Sequence, residues 1–151
     1  INTPSLLVIE DAIDALSWAE EIGGIEALLK RVDTSFAHFM DWVGASPHFE
    51  VLARDPATIS PTALCLVISD DWFTAQPDEV QAGVVKSMLA LLEAEDVAVD
   101  INAYRDAPTG LRIWGGPTVD PEDIASLLPW LDWAYETVRA DLQDGSPHGD
   151  G

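Results

Sequence analysis

Residues Ala103–Gly116 read AYRDAPTGLRIWGG. Two of the chain's five arginines, Arg105 and Arg112, stand seven positions apart in this stretch. Pro108 and Gly110 lie between them and suit a turn that reverses the chain. Leu111 to Trp114 then alternates in the manner of a strand, with Leu111 and Ile113 on one face and Arg112 and Trp114 on the other. If the two aliphatic residues pack on helices, Arg112 emerges on the opposite side of the sheet. A guanidinium held by a rigid strand suits a carboxylate, which it grips through two parallel hydrogen bonds. Arg105, on the preceding loop, is placed for a second anionic group. The competing reading pairs each arginine with a nearby acid such as Asp100 or Asp106.

Outward from that stretch the pattern alternates helices with short strands. Thr3-Pro4-Ser5 offers a cap and first turn, and apolar residues recur at Leu6, Ile9, Ile13, Leu16 and Ala19 until Gly23-Gly24. Ile25, Leu28, Leu29, Val32, Phe36, Phe39, Met40 and Val43 predict a second helix that ends before Ser46-Pro47. Phe49 to Leu52 reads as a short strand and Thr62 to Ile68 as a buried one. Pro77-Asp78-Glu79 opens a third helix carrying Val80, Val84, Met88 and Leu91-Leu92, its early acids suiting the helix dipole. Val97 to Ile101 is a further strand candidate. Pro121-Glu122-Asp123 starts the last helix, with a stripe of Ile124, Leu127, Leu128, Leu131, Tyr135, Val138 and Leu142. Strands so closely coupled do not make a regular parallel fold. The expectation is an α+β domain over residues 1–143, with a small, mostly antiparallel sheet and helices packed on one side. The Gly-, Ser- and Pro-rich residues 144–151 form a flexible tail.

Length and composition, 151 residues of which 48% are hydrophobic, fit one globular domain with a real core. The 27 acidic residues against 7 basic ones give a net charge of -20. Such a surface repels nucleic acid and anionic lipid. It also repels small anions unless a few cations are focused in one place. Cys65, the single cysteine, has no intramolecular partner and reads as a small hydrophobe in its apolar run. No apolar stretch is long enough to span a membrane and no signal peptide is present, so a reducing, cytoplasmic setting is expected. Ile1 without a preceding methionine suggests a piece of a longer chain.

The segment AYRDAPTGLRIWGG resembles the substrate-binding element of the phosphoserine aminotransferases, in the branch with the pattern YRDAPPGLRIWCG. The opening INTPS and the stretches DALSWAEEIGG, DPAT and LLPWLDWAYETV resemble that family in order and spacing, so the resemblance covers nearly the whole chain. It implies the small C-terminal domain of a fold-type-I transaminase dependent on pyridoxal 5'-phosphate. The amino group would pass between L-glutamate and 3-phosphohydroxypyruvate, in L-serine biosynthesis. By motif position, Arg112 matches the arginine that binds the substrate α-carboxylate. Arg105 matches the one that helps bind the phosphate or distal carboxylate, and Tyr104 stands where many relatives have a histidine. Asn2 and Thr3 match the pair that reaches the cofactor phosphate of the neighbouring subunit, which implies a homodimer. The chain departs from the pattern at Thr109, at Gly115 and at Ile59-Ser60-Pro61, leaving every anion-binding side chain in place.

No catalytic residue is identified within the chain. Such an enzyme needs a lysine to hold the cofactor and shuttle a proton, and Lys30 and Lys86 both read as solvated helix-face lysines. The family's Schiff-base lysine lies upstream of the Asn-Thr-Pro opening, so the fragment alone is expected to be inactive. His38, His48 and His148 are scattered without ligand spacing, and no metal site is expected. The six tryptophans mostly read as core or interface anchors, Trp114 excepted. Two rivals stand beside this reading. One is an autonomous acidic module binding a ligand or protein through the Arg105–Arg112 face. The other is the small domain of a different fold-type-I enzyme, such as a serine–glyoxylate aminotransferase or a cysteine desulfurase.

Overall fold

The structure is a computed structural model and describes residues 5–145. Asn2, Thr3, Pro4, His148 and most of the expected tail lie outside the described residues. Helix α1 spans Leu6–Glu21 and α2 spans Gly24–Ala45. Strand β1 (Phe49–Val51) and a single 3₁₀ turn (Pro56–Thr58) lead to β2 (Ala63–Ile68). A one-turn helix α3 (Asp71–Thr74), α4 (Asp78–Ala94), β3 (Leu111–Trp114) and α5 (Pro121–Gln143) complete the order. The α+β expectation holds, with three antiparallel strands in the order β1-β2-β3.

Alternation along β2 sends Leu64, Leu66 and Ile68 into the core, where Leu111 and Ile113 of β3 join them. Helices α2, α4 and α5 cover that face with Phe39, Val84, Val85, Met88, Leu92, Ile124, Leu128 and Leu131, all buried. Arg112 and Trp114 take the other face, as alternation required. Cys65 sits opposite Arg112 across the β2–β3 ladder and is half-buried, away from the helix-covered core that its apolar run suggested.

Two expectations need correction. The Val97–Ile101 segment is not a strand. Asp96, just before the segment, and Asp100, within it, adopt left-handed backbone with φ of 56° and 55°, which breaks any extended run there. What survives is one bridge from Asn102 to Leu111 and a hydrogen bond from Arg112 N to Ile101 O at 2.8 Å. Elsewhere the chain forms the short helix α3, which its residue pattern did not predict and which the Asp70 carboxylate caps by accepting hydrogen bonds from Trp72 N (3.0 Å) and Phe73 N (3.3 Å). The first helix is also unlike the rest. Ser5 stands at its N-cap without a side-chain capping bond, and none of its residues is buried. Leu6 is 77% exposed and Leu16 66%, while Leu7, Val8 and Ile13 are also exposed. An apolar stripe left bare along a whole helix marks a surface that something else covers.

A polar cluster ties α5 to the strand side of the core. Asp70 receives a hydrogen bond from Arg139 at 3.0 Å, and its carboxylate lies 3.4 Å from the ring of the buried His48. The other ring nitrogen of His48 is 3.4 Å from Glu136. The Tyr135 hydroxyl is directed at Asp70 without reaching good hydrogen-bond geometry. Burial raises the Asp70 pKa, but Tyr135, the two capping amides and the Arg139 guanidinium outweigh it and hold the carboxyl below its usual value. Burial and the Asp70 charge together push the Tyr135 phenol well above its ordinary value. A depressed carboxylate contributes stability above its unfolded pKa and loses it as pH falls through the folded value. Asp70→Asn, which keeps a capping oxygen, is therefore expected to cost about 1 kcal/mol at pH 7. The gap should close as the pH drops below about 4, where the parent loses the same charge. Urea unfolding of both proteins between pH 7 and pH 3 measures it, and a gap that stays constant with pH would contradict the assignment.

Candidate functional site

The Ala103–Gly110 loop is pinned at both ends. Ala103 N donates to Gly110 O at 3.3 Å, and Ala107 N closes a turn on Tyr104 O at 3.0 Å. Gly110 is required by close approach, since a Cβ there would stand 2.1 Å from Leu66 O of β2. The loop therefore rests directly on the strand ladder, and Arg112 leaves it from a backbone with little freedom to shift. Gly115, one of the departures from the family pattern, is crowded too. Its Cβ would meet Leu64 Cδ1 at 3.0 Å and Pro61 O at 3.3 Å.

Arg112 stacks over Tyr104, its guanidinium carbon 4.5 Å from the ring centroid. That distance is within cation–π range. Its Nε is buried and has no hydrogen-bond partner, and none of the described acids forms an ion pair with either Arg112 or Arg105. The competing reading, pairing with Asp100 or Asp106, is not what the structure shows. In a chain with this acidic excess, two arginines without a carboxylate are open to an anionic ligand. Tyr104 is 69% exposed and Trp114 53%, so the Arg112 face is flanked by aromatic surface.

The arginines do not share one cavity. Arg112 lines a cavity of about 310 Å³ with Ile101, Trp114, Leu127 and the acids Asp100 and Asp123, neither of which is ion-paired with it, while Arg105 lines one of about 240 Å³ between its loop and α4. Tyr104 touches both surroundings, since Arg112 lies over its ring and it also lines the Arg105 cavity. Sequence reasoning missed Lys86, which lines the Arg105 cavity from α4. It also missed the grouping of His48 with Asp70, Glu136 and Arg139, which come from three separate elements. Among the described residues no group of three His, Cys, Asp or Glu side chains is placed to hold a metal. No described helix is long and apolar enough to cross a membrane.

No protein-family profile matches the chain. Similarity to individual proteins is nonetheless extensive. The phosphoserine aminotransferase of Methanosarcina mazei is 37% identical over 139 residues, which is 92% of this chain and 35% of that protein. That of Methanosarcina barkeri is 38% identical over the same share of each. The solved phosphoserine aminotransferase of Bacillus circulans subsp. alkalophilus superposes with a TM-score of 0.73 over 90% of this chain and 34% of that one. At 18% identity that last likeness is one of fold. Over nearly its whole length the chain is similar in sequence to phosphoserine aminotransferases, and it spans about a third of the length of the curated relatives it matches.

Proposed function

We propose that this chain is the C-terminal, substrate-gripping part of a transaminase that passes an amino group between L-glutamate and 3-phosphohydroxypyruvate, giving O-phospho-L-serine and 2-oxoglutarate. The observation that carries this reading is Arg112, a strand-held guanidinium with a buried, unpartnered Nε in a strongly acidic chain. In this reading Arg112 holds the α-carboxylate shared by all the amino and keto acids involved. Tyr104 keeps the guanidinium in plane from beneath, and Arg105 meets the distal anion. Pyridoxal 5'-phosphate, when bound in the complete enzyme, supplies the carrier for the amino group. The described residues do not themselves make a place for it. Lys30 and Lys86 are both exposed, and the family resemblance puts the cofactor lysine upstream and Asn2 and Thr3 on the cofactor phosphate of a neighbouring subunit. The chain alone should therefore not transaminate, and the working form is a homodimer of the longer protein.

The bare apolar face of α1 supports this reading over that of an autonomous acidic module. A free-standing domain gains nothing from keeping six large aliphatics in water, whereas a domain cut from a larger protein exposes them where its neighbour was. The full-length enzyme, assayed with glutamate as donor, is expected to favour 3-phosphohydroxypyruvate over glyoxylate. A preference for glyoxylate would turn the assignment toward the serine–glyoxylate enzymes of the same fold type.

A further inference from the structure

We infer that Lys86 of α4 and Arg105 together form a phosphate-holding cavity, and that Lys86 makes the site prefer a doubly charged distal group over a carboxylate. The inference rests on the proposed function for the identity of the substrate. The cavity's preference for anions rests on its own lining. Of the chain's 151 residues 27 are acidic, yet none of the residues around this cavity is Asp or Glu. Two cations line it, together with the polar groups of Asn102, Tyr104 and Thr109. The other described cavities that contain a cation all include at least one carboxylate. Positive potential is thus focused in one acid-free concavity of about 240 Å³ on a surface that otherwise repels anions.

Neither cation is committed elsewhere. Arg31 is paired with Asp120 and Arg139 with Asp70, whereas among the described residues no ion pair involves Lys86 or Arg105. The scaffolds that present them are firm. Val84, Val85 and Met88 fasten α4 to the core on either side of Lys86, and Gly110 seats the loop on β2. Ala82 and Leu89, one turn before and after Lys86 on the same side of α4, give its aliphatic stem an apolar bed that leads the ammonium toward the loop. A compact ammonium is a point charge suited to phosphate, and a guanidinium adds directed hydrogen bonds. One cation balances a carboxylate. A second one matters most to a group carrying nearly two negative charges, such as a phosphate monoester near pH 7.

The test begins with the chain itself. Inorganic phosphate and, separately, acetate are titrated at constant ionic strength and pH 7.5, with amide NMR shifts as the readout. Phosphate should shift amides of residues 82–89 and 102–110, and acetate should bind several-fold more weakly. Lys86→Met and Arg105→Met should each weaken phosphate binding about ten-fold, the scale of one charge-assisted contact. Lys30→Met, which removes the same charge elsewhere, should leave it unchanged. Equal binding of the two anions, shifts scattered over the surface, or a Lys86→Met protein that binds phosphate like the parent would each overturn the inference. In the full-length enzyme Lys86→Met should lower the preference for phosphohydroxypyruvate over unphosphorylated hydroxypyruvate. If phosphate binds at this cavity but the full-length protein does not act on phosphohydroxypyruvate, the transaminase reading fails and the anion site stands. If the enzyme prefers the phosphorylated substrate and Lys86→Met changes neither measurement, the role of Lys86 fails alone.

Discussion

Arg112→Ala in the full-length enzyme is expected to lower kcat/KM for both amino donor and keto acceptor by roughly 30- to 1000-fold, the equivalent of about 2–4 kcal/mol. The size follows from the geometry. The guanidinium is fixed by a strand whose neighbours Leu111 and Ile113 are buried, and its Nε has no competing partner among the described residues. Binding a carboxylate therefore displaces no existing ion pair. Because every substrate of the proposed reaction carries an α-carboxylate, the loss should not depend on what the far end of the molecule bears. Arg105→Ala should behave differently, with a large loss for substrates bearing a distal anion and little for alanine-like ones. Steady-state kinetics with phosphoserine, glutamate and alanine as donors separates the two. Equal losses from both substitutions on a donor without a distal anion would contradict the division of roles. Urea unfolding should show Arg112→Ala close to the parent in stability, because the side chain faces away from the core.

Phe39→Ala is expected to destabilise the chain by about 3–5 kcal/mol, the cost of a fully buried aromatic together with the cavity it leaves. Phe39 of α2 is fully buried. Its ring lies 6.5 Å from that of Trp42, and Trp42 in turn is 5.2 Å from Phe49 of β1. Trp42 Nε1 also donates to Asp132 of α5 at 2.7 Å, so this corner joins α2, the sheet and α5. A domain of this size commonly has only about 5–15 kcal/mol in total, and the variant should lose a large share of it. The informative comparison is Leu16→Ala in α1, an equally apolar residue at an equally regular helical position. With 66% of Leu16 exposed, that change should fall within about 0.5 kcal/mol of neutral in this chain. In the full-length protein, where the proposed function has the α1 face covered, Leu16→Asp should be clearly destabilising. Urea midpoints of the three variants against their parents test the set, and a neutral Leu16→Asp in the full-length protein would count against a covered α1.

The long helices were legible because each carries its own evidence. A 3.6-residue stripe in Gly24–Ala45 or Pro121–Gln143 is a local property, and Gly23, Pro47 and Pro121 bound it with equally local stereochemistry. The face of Arg112 was legible for the same reason, since a strand alternates whatever lies beside it. The strand expected at Val97–Ile101 failed because its apolar residues say nothing of the left-handed backbone at Asp96 just before it and at Asp100 within it. The α1 stripe was read correctly as a helix, but a stripe does not reveal whether anything covers it.

By itself, then, the sequence determined the long helices, the three strands of the sheet and which side of β3 the arginine takes, because these depend on residues three or four positions apart at most. Tertiary structure alone decided that Arg105 and Arg112 line different cavities. It also decided that Lys86, nineteen positions from Arg105 in sequence, comes to line the same cavity. Such juxtapositions depend on how α4 seats on the sheet and how closely Gly110 lets the loop approach β2, and no local periodicity encodes either.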